Sequence, residues 1–229
     1  MQDKLFETSQ KMPKFEFNQA VTDVFDDMIN RCVPFYQHLL QQLAQLVGRN
    51  ATVYDLGCST GALVPVLQNR YSTFNYIGID KSPSMIQKAK QHMGDNIQFL
   101  EGDLYEGVSF HQPTVIICNL VLQFIHPSQR EALIQTYMGA LPKGGKLIIV
   151  EKVRQKNKAL QQVYKESYHE LKRTNGYSQS EIDHKDHALN GILVSETSEF
   201  YWEALSNAGA TNIDTFFKWY NFEGMLGIK

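Results

Sequence analysis

From residue 51 onward, short apolar runs alternate with stretches that have the apolar spacing of helices. The run at 114–120 is almost entirely apolar, which predicts a central strand buried on both faces. Strands that alternate with helices are typical of a parallel sheet covered by helices on both sides. We therefore predict an α/β fold with strands at 51–57, 75–80, 96–103, 114–120 and 146–153.

Two regions lie outside this alternation. Residues 18–47 have helical apolar spacing, interrupted at Pro34, and precede the first predicted strand. Residues 155–190 are polar, mostly helical in pattern, and follow the fifth strand. This insertion either covers the strand ends as a lid or forms a helical hairpin with a solvated face, and the sequence leaves both arrangements open.

The sequence pattern near the end of the chain predicts two strands at the edge of the sheet. A helical pattern at 195–210 is followed by two strand patterns, 211–219 and 220–228, with almost no residues between them. Such a hairpin makes the last strand antiparallel to its neighbours. The whole pattern predicts one domain over residues 1–229, with a seven-stranded, mostly parallel sheet, amino-terminal helices within 1–48 and the helical insertion at 155–190.

Composition narrows the classes of function. The chain is 43% hydrophobic and 20% charged, as in ordinary globular proteins, and its formal charge is only −2. Lysines and arginines are not concentrated in any segment, which argues against direct binding of nucleic acid. Residues 1–12 lack the apolar core of a signal peptide, and no run approaches the length of a membrane span. We therefore expect a cytoplasmic protein.

Neither a disulfide framework nor a metal site is predicted. Cys32, Cys58 and Cys118 are widely spaced and odd in number, so we expect buried, reduced thiols. His184 and His187 lack a set of partners with metal-ligand spacing.

The segment YDLGCSTGA, residues 54–62, predicts a ligand-binding turn after the first strand. In open α/β sheets, Gly57 and Gly61 would let the backbone approach a ligand at the next helix. The turn lacks the middle glycine of the dinucleotide fingerprint, which argues against a dehydrogenase. Asp55 would repel a phosphate, but it would order the turn and attract a cationic amino-acid group.

The next three strands place polar side chains at the same edge of the sheet. Asp80 ends the second strand and is suited to accept hydrogen bonds from ribose hydroxyls. Asp103 follows the third strand, where it would accept from an adenine amino group, and Asn119 ends the fourth. An adenosine joined through sulfur to a charged amino acid fits this set, so the predicted cofactor is S-adenosylmethionine, with S-adenosylhomocysteine as its spent form.

These residues, in this order, resemble the class I methyltransferase family. Longer segments resemble one subfamily, the carboxy-S-adenosylmethionine synthases that serve wobble-uridine modification of bacterial tRNA. The most specific of them is LKRTNGYS, residues 171–178. The resembling segments span nearly the whole chain: 24–36, 54–62, 78–86, 119–134, 151–153, 171–182 and 220–222.

The resemblance implies a set of cofactor-binding residues. It includes a tyrosine after the proline of the amino-terminal helices, whose ring would lie near the sulfonium. Lys81 stands where the family usually has asparagine. Carried over to this chain, the implied contacts are Tyr36, Gly57, Cys58, Ser59, Asp80, Lys81, Asp103, Leu104 and Asn119.

One position departs from the family. In the family, an arginine shortly before the Ala-Gly turn of the last helix binds the carboxylate carried on the sulfonium. Alignment of this chain on the same turn places Ala204 at the position of that arginine. Tyr201 and Trp202 flank it and would form an apolar wall. An unpaired carboxylate in a dry pocket is costly, so the expectation moves toward ordinary S-adenosylmethionine. The candidates for a substrate pocket are Arg31, Arg173, Tyr201, Trp202 and Ala204.

Three functions follow as hypotheses. The first is an S-adenosylmethionine-dependent methyltransferase that acts on an unidentified small molecule. The second is a carboxy-S-adenosylmethionine synthase, which carboxylates the cofactor with carbon dioxide released from prephenate and so serves tRNA modification. The third is a non-catalytic partner protein that retains the cofactor pocket. The resemblance also implies a homodimer. No catalytic residue is assigned.

Overall fold

The computed structural model describes residues 2–7, 14–92 and 94–229. Short 3-10 helices occur at Lys90–His92, Leu104–Glu106 and Leu122–Phe124. The helices are α1 (Gln19–Cys32), α2 (Tyr36–Val47), α3 (Leu63–Arg70), α4 (Pro83–Ala89), α5 (Pro127–Ala140), α6 (Lys158–Thr174), α7 (Gln179–Leu189) and α8 (Ser198–Asn207). The strands are β1 (Thr52–Leu56), β2 (Asn75–Asp80), β3 (Ile97–Glu101), β4 (Val115–Asn119), β5 (Lys146–Lys152), β6 (Asn212–Trp219) and β7 (Phe222–Ile228).

The strands form one sheet in the order β3-β2-β1-β4-β5-β7-β6. The pairs among β1 to β5 are parallel, whereas β7 is antiparallel to both β5 and β6. This arrangement confirms the predicted seven-stranded sheet and its antiparallel last strand. Because β1 lies between β2 and β4, the strand order reverses at β1, and a crevice is expected at the carboxyl ends of these strands.

The two faces of the sheet are packed by different helices. Side chains of α2 and α3 cover one face with Val53 of β1, whereas α5 and α8 cover the other with Tyr54. Successive residues of a strand point to opposite faces, so β1 contributes to both cores. Val115, Ile116, Ile117 and Cys118 of β4 are at most 2% exposed, in agreement with the central position predicted for this strand.

Helix ends follow the local sequence. Ser82 caps α4 and Pro83 begins it, as such residues usually do at helix starts. The imidazole of His126 caps α5 by accepting a hydrogen bond from the backbone N–H of Ser128. Serine is a common cap residue, but Ser128 lies inside this helix. Between α1 and α2, Phe35 takes a left-handed backbone conformation with φ 52°, which turns the chain after Pro34.

The insertion packs onto the amino-terminal part of the chain. Tyr177 donates a hydrogen bond to Asp3 at 2.5 Å, and the Arg31 guanidinium lies 3.8 Å from the centre of the Tyr177 ring. Ile182 and Ala188 of α7 are buried in a small core with Phe6 and residues of α1. Residues 2–7, α1, α6 and α7 therefore form a structure over the carboxyl ends of the strands, which we call the cap.

None of the described helices is both long and apolar enough to cross a membrane.

Candidate cofactor site

The turn after β1 is tied to the end of β2. Its backbone N–H groups at Gly57 and Cys58 donate to the carbonyl of Ile79 at 2.7 and 3.1 Å. The next N–H, that of Ser59, donates to the Asp80 carboxylate at 2.9 Å. Gly57 and Gly61 have φ values of +72° and +73°, which favour glycine. The turn is thus held in one conformation at the crevice.

Replacement of Gly57 by alanine should destabilise the fold severely. A Cβ atom there would lie 1.8 Å from Cγ2 of Val121, and the backbone has a positive φ. We expect the free energy of unfolding to fall by about 2–3 kcal/mol. Gly191 is a matched control, because its φ is +73° and nothing lies within 4 Å of an added Cβ. Gly191→Ala should lose only about 1 kcal/mol in the same denaturant titration; equal losses would contradict the steric argument.

Asp80 is the best-placed acceptor in the crevice. Its second carboxylate oxygen accepts from the N–H of Ser82 at 2.9 Å, so both oxygens are oriented by the backbone. Burial raises the pKa of this carboxyl, and the backbone donors at Ser82 and Ser59 oppose the rise. A carboxylate oxygen accepts more than one hydrogen bond, which leaves Asp80 able to bind a pair of hydroxyls.

Asp103 and Asn119 extend the row of acceptors. Asp103 caps the short helix at Leu104–Glu106 by accepting from the N–H of Tyr105 at 3.0 Å. The side-chain oxygen of Asn119 is buried and has no hydrogen-bond partner among the described residues. Because a buried acceptor without a partner is costly, this oxygen fits a site that a ligand completes.

A cavity of about 190 Å³ lies between the strand ends and the cap. Phe15 and Phe17 line it from the segment before α1, and Phe124 from the segment after β4. Seven of the residues predicted to bind the cofactor lie together in its lining: Gly57, Ser59, Asp80, Lys81, Asp103, Leu104 and Asn119.

Four other predicted cofactor residues lie in the protein core. Tyr36 is 6% exposed, and burial next to Asp55 raises its pKa. Asp55 accepts a hydrogen bond from the Tyr76 hydroxyl at 2.6 Å. Burial also raises the pKa of the Cys58 thiol, which argues against a reactive thiolate. An added Cβ at Gly61 would lie 2.8 Å from Phe99. All four lie outside the cavity lining.

The buried Asp55 makes stability depend on pH. Burial raises its pKa to about 7, and the hydrogen bond from Tyr76 only partly opposes this. The folded protein therefore binds this proton more tightly than the unfolded chain, and the stabilisation is lost as pH rises from about 4 to about 7. Relative to Asp55→Asn, the wild-type free energy of unfolding should fall by roughly 2–3 kcal/mol between these pH values. Denaturant titrations of both proteins test this; a constant difference would contradict it.

The structure places three of the predicted substrate-pocket residues, Tyr201, Trp202 and Ala204, outside the cavity lining. Ala204 is 2% exposed and Tyr201 0%, and both pack in the core between α8 and the sheet, away from the cavity. Trp202 is on the outer surface of α8 and is 37% exposed. Alignment by the Ala-Gly turn thus pointed to a helix that does not reach the cavity. The departure from the family at position 204 therefore stays a prediction from sequence, and Ala204 is not among the residues that line this cavity.

The two candidate arginines have structural partners. Arg31 donates to the carbonyl of Asn175 at 2.8 Å and holds the cap together. Arg173 is on the surface, where it forms an ion pair with Glu170 at 2.7 Å. Neither arginine lines the cavity.

Lysine side chains line the cavity. Lys172 and Lys185 are only 3% and 7% exposed, and Lys152 lies beside them. The ammonium groups of Lys152 and Lys172 are each 4.5 Å from the centre of the Tyr168 ring. Burial and the charge of Lys172 lower the pKa of Lys152 to about 8. We call Lys152, Lys172 and Lys185 the lysine cluster.

The lysine cluster has few anionic partners. Lys172 pairs with Asp186 at 3.0 Å, and Lys185 donates to the sulfur of Cys32 at 3.1 Å. Within the described residues, no carboxylate lies within 4.0 Å of Lys152 or Lys185. The lysine cluster was not predicted from the sequence, although Lys152 and Lys172 lie in two of the segments that carry the family resemblance. Asp186 also lines the cavity, beside His169 at 2.9 Å.

No group of metal-binding side chains was found among the described residues.

Known proteins are similar to this chain in sequence. Residues 53–145 match the family model of a methyltransferase domain. A carboxy-S-adenosyl-L-methionine synthase from Desulforapulum autotrophicum is 38% identical over 99% of this chain and 96% of its own length.

Two solved structures show the same fold. An O-methyltransferase family protein from Burkholderia thailandensis has a TM-score of 0.68 and 17% identity, over 93% of this chain and 60% of its own. Human N-acetylserotonin methyltransferase in complex with S-adenosylmethionine has a TM-score of 0.62 and 18% identity, over 92% of this chain and 55% of its own. The predicted class I methyltransferase fold is therefore confirmed.

Proposed function

Because the chain belongs to the carboxy-S-adenosyl-L-methionine synthase family, we propose that it converts S-adenosylmethionine to its carboxylated form. The chain is an S-adenosylmethionine-dependent transferase of the class I methyltransferase fold. The observation that carries the finer proposal is the lysine cluster, which adds unpaired positive charge to the cavity that also contains Asp80 and Asn119.

The cavity residues fit the cofactor by their chemistry. Asp80 would accept from the ribose hydroxyls and Asp103 from the adenine amino group. The unpartnered oxygen of Asn119 would accept from the amino-acid part. When bound, the sulfonium supplies an activated methyl group. The chain's own contribution is to orient that group beneath the cap and to exclude water.

The lysine cluster would bind carboxylate groups. A buried ammonium without an anionic partner is costly, and a carboxylate ligand would relieve this cost. Hydrogen bonds between ammonium and carboxylate contribute about 1.5–3 kcal/mol each, more than neutral ones. Lys152 and Lys185 are the cluster members free of carboxylate partners among the described side chains, so they are the ones that we assign to an acidic ligand.

One observation favours a methyltransferase acting on a small acceptor. The rings of Phe15 and Phe124 each pack edge-on against Phe17 with centroids 5.1 Å apart, and all three line the cavity. Such a wall suits an apolar acceptor. The carboxylation proposal is preferred because the chain belongs to the synthase family and because an apolar acceptor would add no anion to the lysine cluster.

The test is a reaction with purified components. The protein is incubated with S-adenosylmethionine and prephenate, the donor that the family resemblance implies, and the products are separated by liquid chromatography and weighed by mass spectrometry. We expect an S-adenosyl product heavier by one carbon dioxide, formed only when both substrates and the protein are present. Absence of this product, with S-adenosylhomocysteine formed on addition of a small-molecule extract, would instead support a methyltransferase.

A role in tRNA modification, a homodimer and a cytoplasmic location stay predictions from sequence. A carboxylated cofactor would be the substance that such a pathway consumes, so tRNA would meet a later enzyme and not this chain. The net charge of −2 is consistent with this division of labour.

A further inference from the structure

The segment after β4 forms one wall of the cavity. Leu120 has a positive φ of 61°, and the short helix at Leu122–Phe124 follows at once. Leu120, Val121, Gln123 and Phe124 all line the cavity. The position of this segment, residues 120–125, therefore determines what the cavity presents to a ligand.

Glu151 holds the start of this segment through hydrogen bonds to its backbone. Its carboxylate is 0% exposed and accepts three backbone hydrogen bonds, from Val121 at 3.0 Å, Leu122 at 2.6 Å and Gln123 at 3.1 Å. These are the N–H groups that the start of a short helix leaves without partners. Burial raises the pKa of this carboxyl, and the three donors and Arg130 oppose the rise.

Arg130 fixes the other end of the segment. Its guanidinium is also 0% exposed and donates to the carbonyl of Ile125 at 2.9 and 2.7 Å and to that of Gln123 at 3.4 Å. The Glu151 carboxylate thus binds backbone N–H groups of segment 120–125, and the Arg130 guanidinium binds backbone carbonyls of the same segment. Both groups lie behind the cavity wall, outside its lining.

Gln123 is the residue on which these contacts converge. Its N–H is bound by Glu151, and its carbonyl accepts from both Arg130 and Val194. Its side-chain nitrogen donates to the carbonyl of Leu120 at 3.1 Å. The side chain is buried, lines the cavity, and its oxygen has no partner in the described parts of the chain. The backbone N–H, the backbone carbonyl and the side-chain nitrogen of Gln123 each have a partner, and these contacts hold the side-chain oxygen in place.

The strand order indicates which part of the ligand meets Gln123. Asp80 and Asp103 follow β2 and β3, on one side of β1, and Gln123 follows β4 on the other side. With the adenosine bound at Asp80 and Asp103, as the proposed function assigns, the amino-acid part of the cofactor would extend toward β4. Its ammonium group is a donor that an uncharged, buried oxygen binds well.

We propose that the Gln123 side-chain oxygen accepts a hydrogen bond from the ammonium group of the bound cofactor, and that Glu151 is a positioning residue for Gln123. The proposal concerns the S-adenosyl group and holds whether or not the product is carboxylated. It can therefore fail or succeed separately from the function proposed above.

Two ligands separate this contact from a general effect on the site. S-adenosylhomocysteine contains the ammonium group, whereas methylthioadenosine keeps the adenosine and lacks the amino-acid part. By calorimetry, Gln123→Leu should weaken binding of S-adenosylhomocysteine about tenfold and change that of methylthioadenosine less than about twofold. Equal losses for the two ligands, or no loss for S-adenosylhomocysteine, would overturn the assignment.

A double variant tests whether Glu151 acts through Gln123. Glu151→Gln places an N–H₂ group against backbone donors, and should weaken S-adenosylhomocysteine about tenfold at a temperature where the variant is fully folded. The double variant with Gln123→Leu should bind no more weakly than either single variant, because both act through one contact. Multiplied losses in the double variant, or wild-type affinity in Glu151→Gln, would contradict the role.

Glu223→Gln is the matched control. Glu223 lies directly opposite Glu151 in the β5–β7 register, is 2% exposed, and pairs with Lys218. Its replacement should lower the melting temperature but leave the affinity for S-adenosylhomocysteine unchanged. If Glu223→Gln weakened binding as much as Glu151→Gln, a general effect of lost buried charge would explain both.

Discussion

Asp80→Ala should lower the affinity for S-adenosylhomocysteine by at least about a thousandfold. The substitution removes the acceptor for the ribose hydroxyls and also the two backbone contacts, to Ser59 and Ser82, that hold the turn after β1 against β2. Ligand contacts and the orientation of the site are thus lost together. Calorimetric titration with S-adenosylhomocysteine measures the effect.

Two variants control for indirect effects. Asp80→Asn keeps the shape and one acceptor, so it should bind more tightly than the alanine variant. Asp214→Ala removes an exposed carboxylate on β6, far from the crevice in strand order, and should bind as the wild type does. If Asp80→Ala kept an affinity within about tenfold of the wild type while folded, the crevice would not be the cofactor site.

The double variant Lys152→Met/Lys185→Met should lose about a hundred- to a thousandfold in affinity for carboxy-S-adenosylmethionine, with little change for S-adenosylhomocysteine. Methionine nearly preserves the side-chain volume and removes the charge, so the cavity keeps its shape. The effect follows because both lysines are free of carboxylate partners among the described residues and are assigned to the acidic ligand.

The control is Lys158→Met, an exposed lysine at the start of α6. It should leave both affinities unchanged. Loss of affinity for both ligands in the double variant would mean that the lysines support the fold of the cap. Unchanged affinity for the carboxylated ligand would remove the argument for an acidic group in the cavity.

Much of the fold was predictable because its signals are local. The strands predicted from apolar runs match the bounds of β1 to β5 within two residues. The turn around Gly57 and the acids Asp80 and Asp103 were found because each follows directly from the end of a strand. In a parallel sheet those ends meet at one edge, so spacing along the chain translates into proximity in space.

The basic part of the site, the lysine cluster, could not be predicted in the same way. Lys152, Lys172 and Lys185 come from β5, α6 and α7, and only the packing of the cap onto the sheet brings them into one cavity. A lysine on a polar helix is normally exposed, so nothing in the sequence indicates that Lys172 and Lys185 are buried. Likewise, only the tertiary structure shows that Ala204 lies in a helix that packs on the opposite side of the sheet from α2 and α3.

The most direct measurement is mass spectrometry of the small molecule that stays bound to the protein purified from bacterial cells without denaturation. The account predicts an S-adenosyl species heavier than S-adenosylmethionine by one carbon dioxide, held by the acceptors of the crevice and by the lysine cluster. Recovery of only S-adenosylmethionine or S-adenosylhomocysteine, from cells that contain the carboxylated form, would contradict it.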